Sequence, residues 1–75
     1  MIIEPIYLEL AARIRKRREK ICMTQADLAA KLNLHRVTVT NVEAGRQRIM
    51  IHQLPTIAGA LGTTVSKLMK GLFWS

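Results

Sequence analysis

The sequence predicts an all-α domain of five short helices, and three features carry that prediction. Apolar residues recur at steps of three and four rather than alternating. Cap residues and glycines stand where helices of that phase would begin and end. The chain has only two prolines and three aromatics, which leaves little strand character. With 75 residues, 49% of them apolar, there is material for one compact core and no second, so residues 1–75 read as a single domain.

The first helix is expected over residues 5 to 21. Pro5 suits an opening turn, and Leu10, Ile14, Arg18 and Ile21 follow at steps that place them on one face. The opposite face holds Arg13, Arg15, Lys16, Arg17 and Lys20, a basic run that reads as solvated helix surface. Thr24-Gln-Ala-Asp27 has the form of a capping box with Asp in place of Glu, and it opens a second helix that turns Leu28, Ala29 and Leu32 inward. Asn33 tolerates the left-handed conformation and closes that helix. A third helix fits His35 to Ala44 with Val39 and Val42 inward and Gly45 as its stop, although the β-branched run from Val37 to Val42 favours a strand on propensity alone. The fourth, drawn from Ile51 to Leu61 and closed by Gly62, contains Pro55. A proline inside a helix costs about 3 kcal/mol, so the helix should begin nearer Leu54 with Arg48 to His52 extended. Thr64 caps and Gly71 closes a fifth helix over Val65 to Lys70.

Twelve Lys and Arg against five Asp and Glu give a net charge of +7. A folded domain with that balance is suited to an anionic partner. No apolar run approaches a membrane span, and Met1 to Leu10 carries Glu4 and Glu9 where a secretory leader would be positive, so the expected location is the cytoplasm, on the nucleoid. One cysteine rules out an internal disulfide, and Cys22, His35 and His52 have no zinc-ligand spacing; no metal or cofactor is expected. Catalysis is not expected either, since there is one Asp, no serine before Ser66, no phosphate-cradling glycine loop and no nucleophile context around Cys22. A membrane-surface role fails because the apolar face of the first helix is claimed by the bundle. Single-strand RNA binding fails because Tyr7, Phe73 and Trp74 lie outside the basic region.

Arg18 and Glu43 are both aimed at the core, and an unpaired buried charge costs several kcal/mol. The economical resolution is a structural ion pair between them.

Two short helices joined by a tight turn, here about residues 24–44, form a helix-turn-helix. The stretch from Thr24 to Gln47 resembles that of the Cro/C1-type (XRE family) repressors, as do Arg13 to Glu19 and Leu54 to Leu68 around it. The likeness covers about residues 10 to 70. It implies a five-helix, lambda-repressor-like DNA-binding domain and a transcriptional regulator, expected to be a repressor, that reads the major groove with helix 35–44. It also implies an Arg–Glu bridge at Arg18 and Glu43. Three positions depart from the pattern: Cys22 stands where the family has Gly, His35 replaces the Ser/Thr cap of the third helix, and Met50 replaces a Pro or Ser.

With Val39 and Val42 inward, the face left on the third helix is Arg36, Val37, Thr40, Asn41 and Ala44. Arg36 can grip guanine, Asn41 can pair with adenine, and a branched methyl group can meet a thymine methyl; His35 and Thr40 can add hydrogen bonds. The expected base contacts are therefore His35, Arg36, Val37, Thr40 and Asn41. Expected phosphate contacts are Gln25, Thr38, Arg46, Gln47 and Arg48, which the related repressors use at matching positions. Arg13, Lys16, Arg17 and Lys20 are assigned only long-range attraction.

Repressors of this type bind two-fold operators as dimers. Leu68, Met69, Leu72, Phe73 and Trp74 are the expected homodimer interface, the alternative being that Phe73 and Trp74 fold back on the first helix and cap the core. Small domains of this kind also serve as antitoxins of toxin–antitoxin pairs or as controllers of restriction-modification operons, whose further partner is a toxin or another protein. Leu34-His35-Arg36 is similar to the controllers.

Overall fold

A computed structural model describes residues 5–72. Among these, five α-helices form: α1 (Pro5–Lys20), α2 (Gln25–Leu32), α3 (Arg36–Glu43), α4 (Leu54–Ala60) and α5 (Val65–Leu68). Leu10, Ala11, Ile14 and Arg18 bury one face of α1. The expected fourth member of that face, Ile21, is 37% exposed. It falls outside because α1 ends at Lys20 and the backbone reverses at Cys22, whose φ of 58° is left-handed.

Reciprocal hydrogen bonds start α2: the Asp27 N–H donates to Thr24 Oγ1 at 3.0 Å, and the Thr24 N–H donates to Asp27 Oδ2 at 3.1 Å. The Thr24 N–H on the carboxylate, and then the Thr24 hydroxyl beside it, hold the Asp27 carboxyl below the usual carboxylate range. Asn33, at φ 56°, ends α2 by donating its N–H to the Ala29 and Ala30 carbonyls. The β-branched run of α3 is helical because Val39 and Val42 pack into the core, a tertiary gain larger than the propensity deficit of a few tenths of a kcal/mol per residue. His35 is its N-cap without a side-chain cap bond. Gly45 ends the turn after α3 at φ 75° under Leu8, where a Cβ would overlap the leucine Cδ2.

Chain direction changes again around Pro55. As expected, α4 begins at Leu54, placing the proline in its first turn. Ile51 to Gln53, however, form a 3-10 turn, whereas an extended chain was expected as far as His52. Gln53 explains the difference, since its N–H donates to the Met50 carbonyl and its Oε1 accepts the Met50 N–H, both at 2.9 Å.

Ile14, Leu28 and Leu61 are the largest fully enclosed side chains, with Leu10, Ala29, Val39, Ile49, Leu54, Ile57, Ala58, Leu68 and Met69 around them. Leu68 and Met69 thus correct an expectation. At 5% and 9% exposure they fill this chain's own core and are not part of an exposed tail. The reason is the shortness of α5, which stops at Leu68 and turns both residues under α4 and α1.

Candidate nucleic-acid interface

The site begins with the ion pair that fixes α3. Arg18 Nε donates to Glu43 Oε2 at 2.7 Å and Nη2 donates to Oε1 at 2.9 Å, a buried two-pronged pairing. Arg18 Nη1 donates to the Met23 carbonyl at 2.7 Å, tying the end of α1 into the same knot. The hydrogen bonds to Glu43 raise the Arg18 pKa, so the guanidinium stays charged against the opposing effect of burial.

Gln25 was expected on a phosphate, but its side chain is spent inside the protein. Its Nε2 donates to Glu43 Oε1 at 3.1 Å, and its Oε1 accepts the Thr40 hydroxyl at 2.9 Å. The result is a chain of contacts from Arg18 on α1 through Glu43 on α3 to Gln25 on α2 and back to Thr40 on α3. It sets the angle between the two helices of the motif. This network was missed, although Thr40 and Glu43 stand three apart and so share a helix face. Gln25 retains only its position at the first turn of α2, where backbone N–H groups and the helix dipole favour an anion. The Thr40 hydroxyl also lies 3.1 Å from the Arg36 carbonyl, so its donor points back into the protein in either arrangement.

The outward face of α3 is nonetheless assembled as a continuous surface. His35, Arg36 and Ala44 are exposed, Val37 is 63% exposed, and Thr40 and Asn41 are half-buried beside them. Arg46 reaches back toward Asn41, Nη1 to Oδ1 at 3.4 Å, so the turn after α3 adjoins its polar edge. Thr38 and Gln47 come together on the other flank, lining one seam against Val39, Val42 and Ile49. Arg48 is exposed, and its guanidinium sits 5.7 Å from the centre of the Tyr7 ring on α1.

Two members of the basic run on α1 depart from the expected solvated surface. Arg17 donates to the carbonyls of Leu61 (2.9 Å) and Gly62 (3.1 Å), and Arg13 donates to those of Leu68 (3.2 Å) and Lys70. They close the C-terminal ends of α4 and α5, where partial negative charge accumulates. For α4 the signal was present in a last turn without a basic residue, whereas α5 carries Lys67 in its own and gave no such signal.

The remaining interface residues divide. Leu72 is half-buried and packs on the core, and Phe73 and Trp74 lie outside the described residues. The large apolar side chains left most open are Ile51 at 82%, Val37 at 63% and Met50 at 60% exposure. Ile51 borders an apolar groove of about 570 Å³ with Ile6, Tyr7, Pro55 and Val65 on its walls. Among the described residues no cluster of His, Cys, Asp and Glu has the form of a metal site, and no helix is long and apolar enough to cross a membrane.

Residues 14–68 match the Helix-turn-helix family model. The control protein C.MunI from Mycoplasma sp. is 28% identical over 68 residues, covering 89% of this chain and 92% of its own. The restriction-modification controller protein C.Esp1396I, solved as a tetramer in complex with its natural 35 base-pair operator, superposes with a TM-score of 0.83 at 27% identity, over 93% of this chain and 92% of that one. The controller C.AhdI from Aeromonas hydrophila gives 0.77 at 26% identity, over 83% and 94%. The clp gene regulator ClgR from Corynebacterium glutamicum, at 21% identity over 96% of this chain and 77% of that one, shares the fold with a TM-score of 0.86.

Proposed function

This chain belongs to the helix-turn-helix family, and from that premise we propose that it is a DNA-binding transcriptional regulator whose α3 reads an operator in the major groove. The observation that carries this reading is the outward face of α3, where Arg36, Val37 and Asn41 stand side by side while the ion-pair network locks the helix behind them. Arg36 supplies a two-pronged donor for guanine, Asn41 an amide for adenine and Val37 methyl groups for thymine. His35 and Thr40 flank them. Thr38, Arg46, Gln47 and Arg48, with the first turn of α2 at Gln25, hold the phosphates on either side.

The regulated unit is a restriction-modification operon, and the protein acts on it in the cytoplasm as a repressor. Relatives of this description recur both in sequence and among the solved structures, and they favour a controller over an antitoxin. The chain acts as a two-fold dimer on a two-fold operator. With Leu68 and Met69 inside the core, the dimer surface shifts to the apolar patch around Met50 and Ile51 and its adjoining groove.

Selection of bound sites from a random pool of duplexes tests the reading. The expected outcome is a two-fold sequence with half-sites one helical turn apart, about 34 Å. Enrichment of no sequence at all would overturn it.

A further inference from the structure

The recognition face accounts for little of the positive charge. Arg36, Arg46 and Arg48 lie on or beside it, whereas the concave strip between α1 and α5 is lined by Arg13, Lys16, Arg17, Lys20 and Lys67, together with Thr63 and Leu68. This shallow cleft holds about 350 Å³ and has no carboxylate in its lining. Glu9 meets Arg13, Glu19 meets Arg15 and Glu43 meets Arg18, so Lys16, Lys20 and Lys67 face no acidic partner among the described residues. Lys16 and Lys20 stand four apart on α1, as do Arg13 and Arg17, spacings at which like charges repel. At about 100° per residue the four α1 cations centre roughly 150° around the helix from Arg18, which points at α3. The cleft is therefore on the far side of α1 from the recognition helix.

We propose that this cleft is a second duplex-DNA surface that grips the phosphate backbone of a DNA segment other than the one read by α3. The site offers donors and little else. The carbonyls of Leu61, Gly62, Leu68 and Lys70 are already taken by Arg17 and Arg13. No aromatic ring lines the cleft, so a nucleotide would find no stacking partner for its base. The cations from Arg13 to Lys20 run about 10 Å along α1, a length over which duplex DNA presents several phosphates. Because backbone carbonyls hold the two arginines in place, little ordering remains to be done on binding there, while the three lysines adapt to the strand. The protein would thus hold two DNA segments on opposite sides of α1. This proposal does not rest on the sequence-reading role of α3.

The test uses the full chain carrying Arg36→Ala, Asn41→Ala and Arg46→Ala, and measures fluorescence anisotropy of a duplex of about 20 base pairs lacking any selected site. This protein should still bind the duplex. Adding Lys16→Gln, Lys20→Gln and Lys67→Gln should weaken that binding by about tenfold or more at low salt. Removing the same charge at Arg15, Lys31 and Lys70 by Gln substitution should change it by less than about threefold. Loss of all duplex binding in the α3-face variant, equal losses from both charge-matched sets, or binding of inorganic pyrophosphate without binding of duplex would each overturn the proposal. Failure of the α3 reading would show elsewhere, as an unchanged sequence preference in the α3-face variant.

Discussion

The Arg18 and Glu43 side chains illustrate how a buried pair is indispensable without being a large net source of stability. Their mutual attraction and the bonds from Gln25 and to Met23 offset the cost of taking two charges out of water. Removing one partner strands the other. Arg18→Ala and Glu43→Gln should each destabilise by about 3 kcal/mol in denaturant unfolding, with the double variant far below the sum. Additive losses would show that the pair is not coupled. A second residue-scale prediction concerns Cys22. Its left-handed backbone costs a side chain about 1 kcal/mol that glycine avoids, and its exposed thiol packs on little. Cys22→Gly should therefore raise the midpoint of thermal unfolding; a lower midpoint would mean the thiol makes a contact worth more than the strain.

Local capping chemistry decides the elements, and this was the part most legible in the sequence. Thr24, Asp27, Asn33, Gly45, Gly62 and Thr64 each perform the start or stop that their residue type suggests, because such signals depend on a few neighbouring backbone groups. What escaped depends on distant partners. Arg13 and Arg17 look like solvated charges until α4 and α5 bring carbonyls to them, more than forty residues along the chain. Gln25 looks like a phosphate ligand until α3 folds against it, and Ile21 looks buried until Cys22 turns the chain away. On the site, the ion pair and the outward residues of α3 were readable from periodicity, whereas the Gln25 and Thr40 bridge and the burial of Leu68 and Met69 needed the packed bundle. The α2 cap yields a pH prediction. Asp27 has a lowered pKa in the fold, so its contribution is fully present above the unfolded aspartate value of about 3.9 and is lost as pH falls through the folded value. Asp27→Asn should flatten that part of the acid-unfolding profile; an unchanged profile would mean the cap bonds do not distinguish the two protonation states.

For the whole molecule, the charge and the exposed apolar surface each make a separate prediction. Neutralising about five phosphates per subunit gives a plot of log K against log salt with a slope of roughly −0.9 per contact, so operator affinity should fall steeply as salt rises. Ile51, at 82% exposure beside an apolar groove, is the side chain whose change to Asp should shift the protein toward monomer in sedimentation while leaving the fold intact. A dimer unaffected by Ile51→Asp would move the interface elsewhere. Neither feature reads a base sequence, which the proposed function assigns to α3. The decisive measurement is the affinity of wild type and Arg36→Ala for the selected operator and for versions changed at one base pair at a time. Wild type should lose about 1 to 3 kcal/mol at one G·C pair in each half-site, and Arg36→Ala should bind the parent operator more weakly by a similar amount and lose its preference at that pair alone. An Arg36→Ala protein that is weakened evenly on all of these duplexes and on random DNA, with every base preference intact, would contradict the assignment of α3 as the reading helix.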